Sequence, residues 1–244
     1  MLDGHRLLEQ LIIMPTLMRS LRSAYVHRLN RSALRNSSVP NISHVKFVFP
    51  TAPTRPVTMN GGMRMPAWFD LDPRIIGSVD HEGINSSISY LEELVAEEVK
   101  AGVPLERIVL GGFSQGGHIA LKYLFQAQTA PAACIALSTW LEPTYNKQVP
   151  ESSKAVKILL GHGTSDPLLP LALAQSTAAL LRQKGLSRVE FKTYNGMQHS
   201  TCPEELSDIR RFLFQMLPAA DLPSRYPFCL GSTKVLDDIC NQMP

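Results

Sequence analysis

Ile108 to Ala120 reads Ile-Val-Leu-Gly-Gly-Phe-Ser-Gln-Gly-Gly-His-Ile-Ala, and the order of residue types in it decides the architecture. Ile108, Val109 and Leu110 suit a short buried strand, and Ile119, Ala120, Tyr123 and Leu124 then recur at helical spacing. The strand must pass into the helix through Gly112-Phe113-Ser114-Gln115-Gly116. Glycines two positions either side of Ser114 let strand and helix approach closely, and the middle residue is forced into a strained conformation that lifts its hydroxyl above the strand. The Gln115 amide lies beside it at a helix N-terminus, where developing negative charge is stabilised. A glycine-rich turn with an idle serine explains the same five residues, so the rest of the chain has to decide between the two.

The chain has 244 residues, 44% of them hydrophobic, enough for one sizeable core and best described as one domain with extensions. Its formal charge of +3 is unevenly placed, because residues 1 to 46 hold six Arg and one Lys against two acids. The body is left close to neutral and offers no basic face, so nucleic acid is not an expected partner. Cys134, Cys202, Cys229 and Cys240 form neither a C-x-x-C motif nor a dense framework. They read as reduced cytosolic thiols, with a pairing of Cys229 and Cys240 left open. No apolar run approaches the roughly 18 residues of a membrane span, and a soluble, cytoplasmic protein is expected.

Residues 1 to 43 form a divergent basic segment. Leu7, Leu8, Leu11 and Ile12 fit one helical face, and Gln10 to Met14, ending at Pro15, also fits a short buried strand. Thr16 to Ser38 is rich in Arg and Ser and lacks acids, which fits an organellar transit peptide or an ordinary basic surface helix. The body spans residues 44 to 218. Val45 to Phe49 is a strand stopped by Pro50. The proline-studded Thr51 to Pro66 is expected to be irregular, a long coil presenting Trp68-Phe69-Asp70. Ile84, Ile88, Leu91, Leu94, Val95 and Val99 make an amphipathic helix closed by Gly102. After the Ser114 elbow come strands at Ala132 to Leu137 and Val156 to Leu160, a helix over Leu171 to Lys184, a strand at Val189 to Tyr194, and a final helix from Pro203 to Leu217. Such alternation predicts an α/β fold, a mainly parallel central sheet with helices on both faces, whose function gathers at the carboxyl ends of the strands. Residues 219 to 244 read as a loosely attached tail.

Three residue types that acyl transfer requires fall at strand ends in the order Ser114, Asp166, His199. A serine hydroxyl needs a base within hydrogen-bond reach, and the imidazole needs a carboxylate to fix its tautomer and stabilise its cation. The order Ser, acid, His is that of α/β-hydrolases. Asp166 before Pro167 also fits a turn, and His199 also fits a helix cap; the three together favour the catalytic reading. His162 between two glycines reads as a turn residue, His118 sits on the first turn of the elbow helix, and no His/Cys/Asp/Glu spacing suggests a metal. No Gly-Lys-Ser/Thr follows the glycine pairs, so a phosphate loop is not indicated.

Thr51-Ala-Pro-Thr-Arg-Pro-Val-Thr-Met, Ala67-Trp-Phe-Asp, Gly111-Gly-Phe-Ser-Gln-Gly-Gly, Ala136-Leu-Ser-Thr-Trp-Leu, Gly161-His-Gly-Thr-Ser-Asp-Pro-Leu-Leu-Pro and Tyr194-Asn-Gly-Met-Gln-His-Ser together resemble the acyl-protein thioesterase/lysophospholipase-like carboxylesterase family. The resemblance implies an α/β-hydrolase that cleaves S-acylated protein cysteines, lysophospholipids or small esters without a cofactor. It implies Ser114, Asp166 and His199 as the triad, the Gln115 amide in the oxyanion hole, and the Trp68 loop and Trp140 near an acyl groove, for which Trp68, Phe69, Trp140, Leu141, Leu168 and Leu169 are the candidate lining. A monomer or weak dimer with transient contact to a membrane surface is the expected state.

The family's His-Gly-x-Gly-Asp segment, which follows a central strand and supplies a second oxyanion donor, has no counterpart upstream of Val45. Leu11 to Met14 is the one upstream segment apolar enough to take that strand's place, with Pro15 directly after it and the amides of Thr16 or Leu17 as substitute donors. A working esterase or thioesterase is therefore expected beside the alternative of a catalytically impaired or acyl-binding relative.

Overall fold

The computed structural model describes residues 10–13, 40–42, 44–71 and 80–219. Its elements are β1 (Gln10–Ile13), β2 (Val45–Val48), β3 (Thr54–Val57), β4 (Met63–Pro66), α1 (His81–Lys100), β5 (Ile108–Phe113), α2 (Gln115–Tyr123), β6 (Ala133–Leu137), β7 (Lys157–Gly163), α3 (Leu171–Gln183), β8 (Val189–Tyr194) and α4 (Pro203–Met216). Six strands make one sheet in the order β2-β1-β5-β6-β7-β8, every neighbouring pair parallel.

Gln10–Ile13 occupies the slot between β2 and β5. Leu11 pairs with Lys46 on one side and Ile108 on the other, and Ile13 with Val48 and Leu110. Of the two readings that periodicity left open for this segment, the strand is the one formed, and the sheet runs through the slot without a gap. Met14 to Val39, with the Thr16 and Leu17 amides and the basic run, lie outside the described residues, as do Cys229 and Cys240.

The strands sort their side chains by the period of two that a sheet imposes. Ile108 and Leu110 of β5, Cys134 and Ala136 of β6, and Ile158 and Leu160 of β7 face a core shared with α1, α2 and α3. Val109, Ala133, Ile135, Leu137 and Leu159 face the other way, onto Leu206, Ile209, Phe212 and Leu213 of α4. Both faces are thereby covered, as a parallel sheet requires, and the architecture is the α/β-hydrolase fold that the sequence predicts.

The stretch expected to be irregular is partly ordered. Thr54–Val57 and Met63–Pro66 form an antiparallel ribbon, with Pro56 opposite Arg64 and Thr54 opposite Pro66. Prolines exclude a central strand, but in an isolated two-stranded ribbon each strand has a free edge where a missing N–H costs nothing. Gly61 and Gly62 turn the ribbon at φ +65° and +79°.

α4 carries a buried acid, Glu205, on its first turn. Neither of its carboxyl oxygens has a hydrogen-bond partner, and burial, reinforced by the charge of Asp208, pushes the group up to about 8. The native state thus keeps a proton that the unfolded chain gives up near the ordinary value, so the stability contributed at this position is full below about pH 4.5 and falls as pH rises toward 8. Glu205→Gln removes the titration, and it is expected to raise stability at pH 7 by on the order of 3 kcal/mol and to flatten the decline between pH 5 and 8. Thermal melts across that range check this. Parallel pH profiles for variant and parent would show that Glu205 is not held neutral.

Candidate active site

β5 ends in a residue that the surrounding backbone forces out of the common regions. Ser114 has φ 54° and ψ −120°, a conformation that persists only where neighbours over-determine it. Here its N–H donates to the Leu137 carbonyl at 2.9 Å, and its carbonyl accepts from the His118 N–H at 3.0 Å and from the Thr139 hydroxyl at 2.8 Å. A Cβ on Gly112 would overlap the Gly116 carbonyl and the Gly117 nitrogen, so the close approach read from the glycine spacing is present. Ser114 stays partly accessible, although nearly everything around it in β5 and α2 is buried.

Asp166 and His199 stand on the loops after β7 and β8. The Asp166 carboxylate divides its work: Oδ1 accepts the Leu168 and Leu169 amides, each at 2.9 Å, and Oδ2 accepts from His199 Nδ1 at 2.8 Å. The turn and the contact to His199, which compete as readings of Asp166 in the sequence, use different oxygens of one side chain. Burial raises the carboxyl, but the Leu169 amide, the His199 ring and the Leu168 amide outweigh it and hold Asp166 below its usual value. An ionised partner at Nδ1 places that nitrogen's proton between the two and leaves Nε2 as the basic one. The His199 ring packs on Phe113, the residue before Ser114, with centroids 4.8 Å apart.

The two loops are laced together. The Thr164 and Ser165 amides donate to the Tyr194 and Met197 carbonyls, each at 3.0 Å, and the Gly196 amide donates to the Thr164 hydroxyl at 2.9 Å. Gly163 makes this possible, because a Cβ there would overlap the Met197 carbonyl. Gly163→Ala should push the His199 loop off the acid loop and lower kcat by about 100-fold, the scale of a 1 Å misplacement in an active site. Kinetics on folded protein would decide, and an unchanged kcat would mean that the loops separate without disturbing the pair.

The candidate groove residues are scattered by comparison. Trp68 and Phe69 are each 1% exposed and belong to the main core, with Phe69 packed on His118 and Trp140. Leu141 is buried as well, Trp140 and Leu169 are partly buried, and Leu168 stands open at 65% exposure. Of this set, Trp140, Leu168 and Leu169 present apolar surface, whereas Trp68 and Phe69 form packing behind the elbow. Cavities of about 280 Å³ beside Lys122 and Glu142 and about 300 Å³ beside Trp68 and Tyr90 are not lined by Ser114, Asp166 or His199.

Three residues near the site carry more than the sequence suggests. His162 is not in a turn but in β7, fully buried, with Nε2 donating to the Leu169 carbonyl at 2.8 Å; it thereby fastens the loop that presents Asp166. Ser138, at the end of β6, has φ 43° and donates its amide to the Gly161 carbonyl at 2.8 Å. His118 is lowered to about 4 by burial, so it is neutral, and its Nδ1–H donates to the Trp140 carbonyl at 2.9 Å. Only His162 gives a signal in the sequence, its glycine neighbours, and those point to a turn.

Among the described residues no group of three or more His, Cys, Asp and Glu is placed to hold a metal ion, and no helix is long and apolar enough to cross a membrane.

Residues 32–217 match the family model described as phospholipase/carboxylesterase. Acyl-protein thioesterase 1 of Mycosarcoma maydis is 40% identical over 201 residues, covering 75% of this chain and 82% of that protein. The Neurospora crassa protein of the same name is 39% identical over 195 residues, covering 72% of this chain and 76% of its own. Among solved structures, Arabidopsis thaliana SOBER1 superposes with a TM-score of 0.74 at 26% identity, covering 86% of this chain and 99% of that one. Zea mays acyl-protein thioesterase 2, at 23% identity and a TM-score of 0.67 over 88% of this chain and 96% of its own, shares the fold. With a matched segment that runs through the elbow and both loops, the chain belongs to the phospholipase/carboxylesterase family of α/β-hydrolases.

Proposed function

We propose that the chain is a serine hydrolase that cleaves acyl thioesters or esters, with S-acylated protein cysteines, lysophospholipids and small carboxylic esters as its substrate class. The observation that carries this is the 2.8 Å bond from His199 to Asp166, on a ring packed against the residue preceding a strained Ser114. His199 Nε2 takes the hydroxyl proton as Ser114 Oγ attacks the acyl carbon. The tetrahedral oxyanion develops toward the Gln115 N–H at the start of α2, where the helix leaves its first amides unpaired. Collapse breaks the bond to sulfur or oxygen, and the leaving group departs with the proton from His199. Water then repeats the sequence on the acyl-serine, releasing the fatty acid and restoring Ser114. Asp166 keeps its charge throughout and stabilises the imidazolium.

Thioesters and acyl esters are favoured over charged substrates by the apolar surface of Leu168, Leu169 and Trp140, and by the identity to proteins named acyl-protein thioesterase 1. A fluorophosphonate probe tests the chemistry directly and should label the native chain stoichiometrically at Ser114. On p-nitrophenyl esters, kcat/KM should rise with acyl length, since each added buried methylene is worth about 0.8 kcal/mol. An unlabelled folded chain would end the hydrolase reading; labelling without any dependence on length would leave a hydrolase but remove the acyl site.

A further inference from the structure

Serine is among the preferred helix N-caps, yet Ser114 makes no capping bond to α2. The first turn of the elbow helix, including the Gln115 amide, therefore lacks a side-chain cap at the place where helices fray. Gln115 is 4% exposed, and its side chain reaches across to the segment before α1. Its Oε1 accepts the Trp68 N–H at 3.0 Å, and its Nε2 donates to the Phe69 carbonyl at 2.9 Å. One carboxamide thus satisfies a donor and an acceptor on consecutive residues, much as a neighbouring strand would.

That segment is itself fixed. The Trp68 carbonyl accepts from the Ser87 hydroxyl of α1, and Trp68 stacks on Tyr90 with centroids 6.3 Å apart. The Asp70 amide donates to Asp80 Oδ2 at 2.8 Å, and Asp80 Oδ1 caps α1 through the Gly83 amide at 2.8 Å. The chain of contacts therefore runs from the 20-residue α1 through Trp68-Phe69 to the residue whose N–H faces the developing oxyanion.

We infer that the Gln115 side chain is a positioning group for the oxyanion hole, clasping the Trp68-Phe69 backbone so that its own amide keeps the direction that the tetrahedral intermediate needs, an inference that rests on the hydrolase reading above. An oxyanion donor works only within about 2.7 to 3.1 Å of the developing charge, so a loosened first turn costs rate even when the helix persists. The same clasp explains why two large aromatics in a proline-rich segment are buried rather than presented to substrate.

Gln115→Met keeps the length and apolar volume of the side chain and deletes both hydrogen bonds. It is expected to lower kcat on a small activated ester about 10- to 100-fold, up to but not beyond the ~10² at which outright loss of an oxyanion donor begins, with KM changed less than twofold and phenylboronic acid binding weakened by the same factor as kcat. Rates are normalised to serines that fluorophosphonate labels, which removes any effect of partial unfolding. Gln115→Glu adds a signature that simple packing does not share: the ionised carboxylate repels the Phe69 carbonyl, whereas the protonated form can donate to it, so the variant-to-parent ratio of kcat should rise as pH falls. Ser87→Ala, which releases Trp68 from α1 and leaves Gln115 untouched, should reduce kcat several-fold in the same direction and serves if the Gln115 variants do not fold. Normalised kcat and boronate affinity equal to the parent's in Gln115→Met, or in Ser87→Ala where that variant stands in, would overturn the inference and leave Gln115 as packing. A parent chain that takes no fluorophosphonate label would instead overturn the hydrolase reading.

Discussion

Ser114→Ala is expected to abolish fluorophosphonate labelling and to lower kcat for ester hydrolysis by about 2 × 10⁶, the scale found when the nucleophile of a serine protease triad is removed. The fold should hardly register the change. The Ser114 hydroxyl caps nothing in α2, and the bonds that hold this residue in place use its backbone N–H and carbonyl, which alanine retains. Alanine accepts φ 54° no more readily than serine does, so the strain is carried equally by both forms. Thermal stability is therefore expected within a few tenths of a kcal/mol of the parent, and the variant should still bind long-chain substrates. Residual hydrolysis of roughly 10³ to 10⁴ over water remains, from the oxyanion donor and substrate binding. Turnover above a thousandth of the parent's in a preparation free of parent enzyme would move the nucleophile away from the elbow.

What the sequence discloses about the site depends on how local the physics is. The elbow is legible because steric demand falls on residues two apart: Gly112 has to pass Gly116, and no other side chain fits. The strands β5 to β7 are legible because both faces are buried and the apolar runs Ile108–Leu110, Ala133–Leu137 and Ile158–Leu160 are unbroken, whereas the half-buried edge strand β8 shows itself by the alternation of Val189 and Phe191 with Glu190 and Lys192. β1 is not, since four residues of Gln-Leu-Ile-Ile suit a helix turn or a strand equally well. Its identity comes from pairing with Val45–Val48 and Ile108–Leu110, which are remote in sequence. The proline count around Thr51 to Pro66 correctly excludes a central strand and says nothing about an isolated ribbon. Trp68 and Phe69 look exposed because prolines precede them. They are buried because Gln115 and Ser87 satisfy their backbone groups across 47 and 19 residues, and a buried loop is tolerable only when such partners exist.

Asp166→Asn should cost about 10⁴ in kcat with little change in KM, and the geometry gives the reason. The turn and the contact to His199 use different oxygens of the Asp166 carboxylate, so an amide can replace one and not the other. Its carbonyl oxygen can keep the Leu168 and Leu169 amides, which places the NH₂ group against His199 Nδ1. Two donors then face each other unless the imidazole moves its proton to Nε2, and an Nε2–H has no lone pair with which to take the Ser114 proton. Asp166→Ala loses the two loop amides as well, so it should match the Asn variant in kcat and fall below it in thermal stability. Because the native carboxyl is held below its ordinary value of 3.8, its contribution to stability is fully present above that value and is lost as pH falls through the lower native one. The gap in melting temperature between parent and Asp166→Asn should accordingly persist at pH 5 to 8 and close in stronger acid. An Asn variant within tenfold of the parent's kcat at neutral pH would show that another carboxylate orients His199.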